Sequence, residues 1–202
     1  EIPLRLVGSE MCIRDSSSGK QGYSVAQAAF EAGADVTLIS GPTSLETPYG
    51  VKAVSVVSAK EMNEAVRREA TNADVFVSVA AVADWRAQTV ADEKIKKSDE
   101  PPTLELVENP DILAQAAREF PSLYCVGFAA ETENVLENAR GKRIRKHARM
   151  IVANNARSAI GCDMNEAVIV MADKEVATGH VSKDKLAQTI IECIAEDLAK
   201  EV

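Results

Sequence analysis

The chain predicts an α/β fold of three layers, with a mostly parallel sheet covered by helices on both faces. Three observations predict it. From Gln21 onward, helix-period segments alternate with short apolar runs, the pattern of parallel strands joined by covering helices. Turn formers such as Gly33 and Gly41-Pro42 punctuate the runs, as short connections require. The 202 residues, 46% hydrophobic, suffice for one domain with a sizeable core.

The elements follow in order. Gly22 to Ala32, GYSVAQAAFEA, carries apolar residues at helical spacing and stops at Gly33, a common helix terminator. Val36-Thr37-Leu38-Ile39, closed by Gly41-Pro42, reads as a buried strand. Val51 to Val57 is a strand, Ala59 to Ala70 a helix and Val75 to Val79 a strand. Pro110 to Phe120 is a helix, Leu123 to Phe128 a strand, Thr132 to Lys146 a helix and Met150 to Ala153 a strand. Lys183 to Glu201 is the final helix. The stretch from Trp85 to Thr103 is long, polar and ends in Pro101-Pro102, so it is expected to be a lid or binding loop. Open parallel sheets bind ligands at the carboxyl ends of their strands.

Composition narrows the function. Acidic residues outnumber basic ones 31 to 23, for a net charge of −8. Nonspecific DNA or anionic-membrane binding needs a broad cationic surface and is excluded. Wholesale disorder is excluded by the apolar content, and no apolar run approaches the ~20 residues of a membrane span. Cys12, Cys125, Cys162 and Cys193 form no CxxC pair, so neither a zinc ribbon nor a disulfide framework is readable and a reduced, cytoplasmic home is expected. With His147 and His180 the only histidines, an HExxH zinc site is absent and a histidine-based triad is disfavoured. Chemistry here must lean on lysines, amides and backbone dipoles, with room for a hydrated metal.

Several segments carry that chemistry, each beside a plainer explanation. Ser16-Ser17-Ser18-Gly19-Lys20-Gln21-Gly22 precedes a helix and suits phosphate, but it is neither a Walker A loop nor GxGxxG; a serine N-cap also accounts for it. Ser78-Val79-Ala80-Ala81-Val82-Ala83-Asp84 ends a strand in small residues and then a carboxylate, which lets a ligand approach the backbone; a buried strand end does the same. Lys94-Ile95-Lys96-Lys97 places lysines in the long loop, where they can neutralise phosphate or simply be solvated. Asn109-Pro110-Asp111-Ile112-Leu113 starts a helix with Asn109 as expected N-cap and Pro110 at the first helical position; such an end attracts anions. Phe128, in GFAAET, offers a surface for a base or packs in the core. From Arg140 to Arg149 six cations occur without an acid; Lys142 and Lys146, four apart, share a face that suits phosphate and also complements a helix C-terminus. Asn154-Asn155 ends a strand with amides that can read polar groups or form a turn.

Together SSGKQGY, LISGPTSL, AAVADWR, EKIKK, NPDIL, VGFAAET, KRIRK and IVAN, in that order from about Asp15 onward, resemble the phosphopantothenate–cysteine ligase domain of bacterial coenzyme A biosynthesis. That domain is often fused behind a flavin-dependent decarboxylase. The resemblance implies a Rossmann-like fold, a homodimer, Mg²⁺ and CTP as co-substrate. It places the nucleotide against Ser78, Val79, Ala80, Asp84, Lys94, Pro110, Asp111, Ile112, Leu113, Phe128, Lys142 and Lys146. Lys94 is the implied catalytic lysine, and Asp15 falls where the family has an asparagine at the acyl intermediate. Ser17, Gly19, Lys20, Ala81 and Asn154 are the candidates for the acyl substrate; metal ligands are not identified. The implied reaction joins 4′-phosphopantothenate to L-cysteine through an acyl-cytidylate, releasing pyrophosphate and CMP.

The N-terminus departs from this pattern. VGSEMCIRD resembles a translated sequencing adapter, so residues 1–15 are expected to be non-native and 16–202 to form a single ligase domain lacking its first strand. An aspartate at position 15 loses an amide donor and repels an anionic intermediate, so weak activity is expected. The alternatives are a noncatalytic or truncated nucleotide-binding module and, less favoured without a glycine fingerprint, an NAD(P)-dependent oxidoreductase.

Overall fold

The computed structural model describes residues 18–89, 103–131, 133–155 and 164–200. Helix α1 (Lys20–Glu31) leads to strands β1 (Thr37–Ser40) and β2 (Lys52–Ser55), then α2 (Ala59–Ala70) and β3 (Val75–Ser78). Short strands β4 (Trp85–Ala87) and β5 (Leu106–Glu108) precede α3 (Ile112–Glu119) and β6 (Tyr124–Glu131). Helix α4 (Val135–Arg145), strand β7 (Met150–Asn155), the pair β8 (Met164–Val170) and β9 (Glu175–Ser182), and α5 (Lys183–Leu198) complete the chain.

The main sheet has the order β3-β6-β7-β8-β9. Its first pairings are parallel, Val77 beside Val126 and Phe128 beside Val152, while β7–β8 and β8–β9 are antiparallel. Strands β1 and β2 form a separate parallel pair. The α/β class and the mostly parallel sheet are as the alternating pattern predicts.

Strand alternation sorts the core onto two faces, because successive side chains point oppositely. Val126, Met150, Val152 and Ile169 pack with Val25 and Ala28 of α1 and with Leu186 and Ile190 of α5. Cys125, Ile151, Ala153 and Val170 pack with Val66 of α2, Ile112 and Leu113 of α3 and Ala139 of α4. Helices therefore cover both faces. Leu186 and Ile190 are fully buried, each stabilising the layer by about 1.5–3 kcal/mol.

The structure corrects several local expectations. The N-cap position of α1 is Gly19, not a serine, in the left-handed region at φ 74°, a conformation glycine adopts without steric cost; Ser18 one residue earlier accepts from the Lys20 N–H through Oγ at 3.4 Å. Asn109 does not cap α3; Asp111 does, its Oδ1 accepting from the Ala114 N–H at 3.1 Å. Two capping residue types flank Pro110, and the helix starts after the second. The roots of the expected 85–103 loop are strands: β4 and β5 pair antiparallel, Trp85 opposite Glu108 and Ala87 opposite Leu106. The hairpin β8–β9 has no counterpart in the sequence reading. Its residues alternate in exposure, but β7, β8 and β9 pair antiparallel in succession, unlike the helix-joined parallel strands that the alternating pattern signals.

Candidate active site

Parallel pairing makes β3, β6 and β7 end at the same edge of the sheet. Beyond that edge lies a cleft of about 1910 Å³. From β3, Ser78 and Val79 are half-buried and Ala80, Ala81 and Asp84 exposed, and all line the cleft. Small side chains there leave the backbone approachable.

The loop after β3 is tied to the start of α3 by Asn109. Its N–H donates to the Asp84 carbonyl at 2.7 Å, and its Nδ2 donates to the Ala83 carbonyl at 2.8 Å. Arg86 of β4 donates to Asn109 Oδ1 at 3.2 Å and to the Glu108 carbonyl. One side chain thus fastens the strand-end loop, the ribbon root and the helix start. Pro110, Asp111, Ile112 and Leu113 line the cleft from that helix start, where the first-turn N–H groups point beyond the helix.

Helix α4 supplies the cations. Lys142 Nζ donates to the Phe128 carbonyl at 2.8 Å, and Lys146 is ion-paired with Asp111 Oδ2. The Phe128 side chain is half-buried and packs on the opposite, α1- and α5-covered face of the sheet. A solvent-accessible pair like Lys146–Asp111 contributes only about 0–1 kcal/mol, so phosphate oxygens can compete for the lysine through charge-assisted bonds. Asp111 would keep its cap to Ala114.

The opposite wall comes from α1, with Gly19 and Lys20, and from Asn154 at the end of β7. Sequence reasoning missed Asn165, which is 3% exposed and accepts from Asn154 Nδ2 at 3.3 Å. It also missed Lys183 and Glu131 at the cleft wall. Asn165 lies on the unread strand β8, and no motif flags it; a buried amide in an apolar strand is the one available signal. Deeper, the cleft runs between the edges of β1 and β3, lined by Leu38, Val75, Val77 and Ile191.

Every candidate site residue within the described residues therefore borders this one cleft, although they arise from separate stretches of chain. Asp15, Ser17 and Lys94 lie outside the described residues. Cys125, by contrast, is pushed up to about 11 by burial beneath α3, which makes it an inert core thiol rather than a nucleophile.

Among the described residues, no group of three or more His, Cys, Asp or Glu could hold a metal ion. Mg²⁺ nonetheless fits this donor set, because it keeps several waters and is commonly held by one carboxylate plus substrate phosphates. Asp84 is the exposed carboxylate at the strand end and Asp111, ion-paired with Lys146, the second.

Over residues 11–198 the sequence matches the family described as DNA/pantothenate metabolism flavoprotein C-terminal domain. The coenzyme A biosynthesis bifunctional protein CoaBC of Vibrio cholerae serotype O1 is 45% identical over 192 residues, which is 92% of this chain and 48% of that protein. Its namesake from Escherichia coli strain K12 is 52% identical over 147 residues, 71% of this chain and 36% of that protein. The chain thus spans half or less of the length of these curated relatives. The crystal structure of the C-terminal domain of a CoaBC protein matches with a TM-score of 0.79 at 36% identity, over 91% of this chain and 85% of that one. A Cab2 mutant in complex with phosphopantothenate-cysteine shares the fold, with a TM-score of 0.75 at 15% identity over 91% of this chain and 79% of that one. The sequence match covers nearly all of the described fold, cleft included, and the chain belongs to the DNA/pantothenate metabolism flavoprotein C-terminal domain family.

Proposed function

We propose that this chain is a ligase of coenzyme A biosynthesis that couples 4′-phosphopantothenate to L-cysteine at the expense of CTP. One observation carries the reading: Ser78–Asp84, Pro110–Leu113, Phe128 and the lysines of α4 converge on a single cleft at the strand ends. The CoaBC names of its relatives supply the pathway.

The pantothenate carboxylate attacks the α-phosphorus of CTP; the bond to the bridging oxygen breaks and pyrophosphate leaves. The cysteine amine then attacks the acyl carbon, an amide forms, and CMP departs with the electron pair. No covalent enzyme intermediate is required. Lys142 and Lys146 neutralise phosphate charge, the α3 start orients the nucleotide, and catalysis comes from positioning and electrostatics. Mg²⁺, held by Asp84 and the triphosphate, would screen charge on the phosphates. Lys94, which lies outside the described residues, is the catalytic lysine that the family resemblance implies.

We further propose a homodimer, with Trp85, Leu104 and Leu106, each at least half exposed on the ribbon, as its apolar contact, and a flavin-dependent decarboxylase as the natural fusion partner.

The test is incubation with CTP, Mg²⁺, 4′-phosphopantothenate and cysteine. Slow pyrophosphate and CMP release, accelerated by Asp15→Asn in a chain given a native-like N-terminus, is expected. CTP binding without pyrophosphate release from either chain would favour the noncatalytic module and overturn the ligase reading.

A further inference from the structure

Resting on that ligase reading, we propose that Asn165 is a positioning residue that holds the Asn154 carboxamide with its oxygen presented to the acyl substrate. Asn165 is the buried polar residue among the described residues, at 3% exposure. A buried carboxamide is costly unless hydrogen-bonded. Its Oδ1 can only accept, and the donor it has is Asn154 Nδ2, at 3.3 Å. That bond selects one orientation of the Asn154 amide plane. With Nδ2 committed to Asn165, Asn154 Oδ1 is on the other branch of the plane and is the acceptor left for the cleft both residues line.

The placement gives this acceptor a specificity. Asn154 lies beside Ala130 in the β6–β7 register, two residues past the Phe128–Val152 pair, and by strand alternation shares the face of Met150 and Val152 rather than the Ile151–Ala153 face on which Ala139 of α4 packs. An oxygen acceptor repels ionised phosphate oxygens and attracts O–H and N–H donors. CTP's triphosphate offers no such donor at neutral pH; its ribose hydroxyls and cytosine amine are donors, but the ligase reading places the nucleotide at the α3 start, Phe128 and the α4 lysines. The hydroxyl and amide groups of 4′-phosphopantothenate offer such donors. The arrangement depends on β8 running antiparallel to β7: Asn154 pairs with Ala167, so the first residues of β8, not its last, reach the strand-end cleft.

Calorimetric titration of the full 202-residue chain with 4′-phosphopantothenate, and separately with CTP and Mg²⁺, tests this. Asn165→Leu should weaken 4′-phosphopantothenate binding by about tenfold, the loss of roughly one well-oriented polar contact, with CTP affinity unchanged. Because Asn165 acts through Asn154, Asn165→Leu in an Asn154→Ala background should cause no further loss. Wild-type chain with selectively ¹⁵N-labelled asparagine gives a readout independent of any variant's folding: 4′-phosphopantothenate, but not CTP, should shift the Asn154 side-chain amide signals. Equal 4′-phosphopantothenate affinity in wild type and Asn165→Leu, parallel loss of both ligands, or unshifted Asn154 signals at saturation would overturn the proposal while pyrophosphate release leaves the ligase reading standing. Failure of the wild type to bind either compound or release pyrophosphate would overturn both.

Discussion

Gly127 lies where β6 passes beneath α3, between Ser78 of β3 and Ile151 of β7. A Cβ there would sit 2.5 Å from Leu113 Cδ2 and 2.8 Å from Ile151 Cδ1. Both contacts are side-chain methyls, but they belong to the packed layer around Cys125 and Val170, so relief requires Leu113 and Ile151 to repack within a filled layer. Gly127→Ala should therefore cost roughly 1–3 kcal/mol by overpacking, read as a lower urea midpoint at unchanged slope. Since Leu113 also lines the cleft, CTP affinity should fall with it; an unchanged midpoint would show that the interface yields easily. In the sequence this glycine is one of several small residues closing a strand. Which of them admit a ligand and which admit a helix is invisible locally: Ala130 is exposed, whereas Gly127 is buried under Leu113.

At the scale of elements, the ribbon β4–β5 and the loop after β3 share a fastening. Asn109 joins Ala83 and Asp84 to α3, and Arg86 joins it to the ribbon. Asn109→Ala removes the side-chain bonds on both sides, at roughly 0.5–1.5 kcal/mol for a typical hydrogen bond. Faster amide hydrogen exchange is expected across β4 and β5 with little change in α5. Uniformly faster exchange would instead mean a global loss of stability. Sequence pattern located α2 at Ala59–Ala70, as the structure has it, because Ser58 and Glu61 form a local capping box: Glu61 N donates to Ser58 Oγ at 3.2 Å, and Glu61 Oε2 accepts from the Val57 N–H. Local pattern places the α3 cap at Asn109, whereas the fold recruits Asn109 to Ala83, a partner far away in sequence. β8 and β9 escaped notice because their pairing is set by β7 and by each other.

Across the whole molecule, the end of the sheet opposite the cleft is closed by an ionic network. Tyr124 Oη donates to Asp197 Oδ2 at 2.8 Å, Lys200 Nζ contacts Asp197 Oδ1 at 3.3 Å and Asp173 at 2.7 Å, and the Arg149 guanidinium stacks 5.1 Å from the Tyr124 ring. It joins α5, the start of β6 and the β8–β9 turn. Burial pushes the Asp197 carboxyl up, but the Tyr124 and Lys200 hydrogen bonds and the Lys200 and Arg149 charges together hold it below its ordinary value. A depressed carboxylate stabilises the fold above its unfolded-state value, and that contribution is lost as pH falls through the folded one. Asp197→Asn should thus cost about 1 kcal/mol at neutral pH, and its deficit against wild type should shrink as pH falls below 3.8. A deficit constant with pH in thermal unfolding would show that the carboxylate charge plays no part.

The sequence by itself determined the α/β class, the helices and buried strands of 20–155, and the stretches that border the cleft. Periodicity, caps and turn residues are short-range signals, and each sits within a few residues of the structure it specifies. Only the tertiary structure decided that β8 runs antiparallel beside β7, that Asp111 rather than Asn109 caps α3, and that Asn154 meets Asn165. Those choices rest on hydrogen bonds and side-chain packing between residues distant along the chain, where the cost of an unpaired buried polar group outweighs local preference.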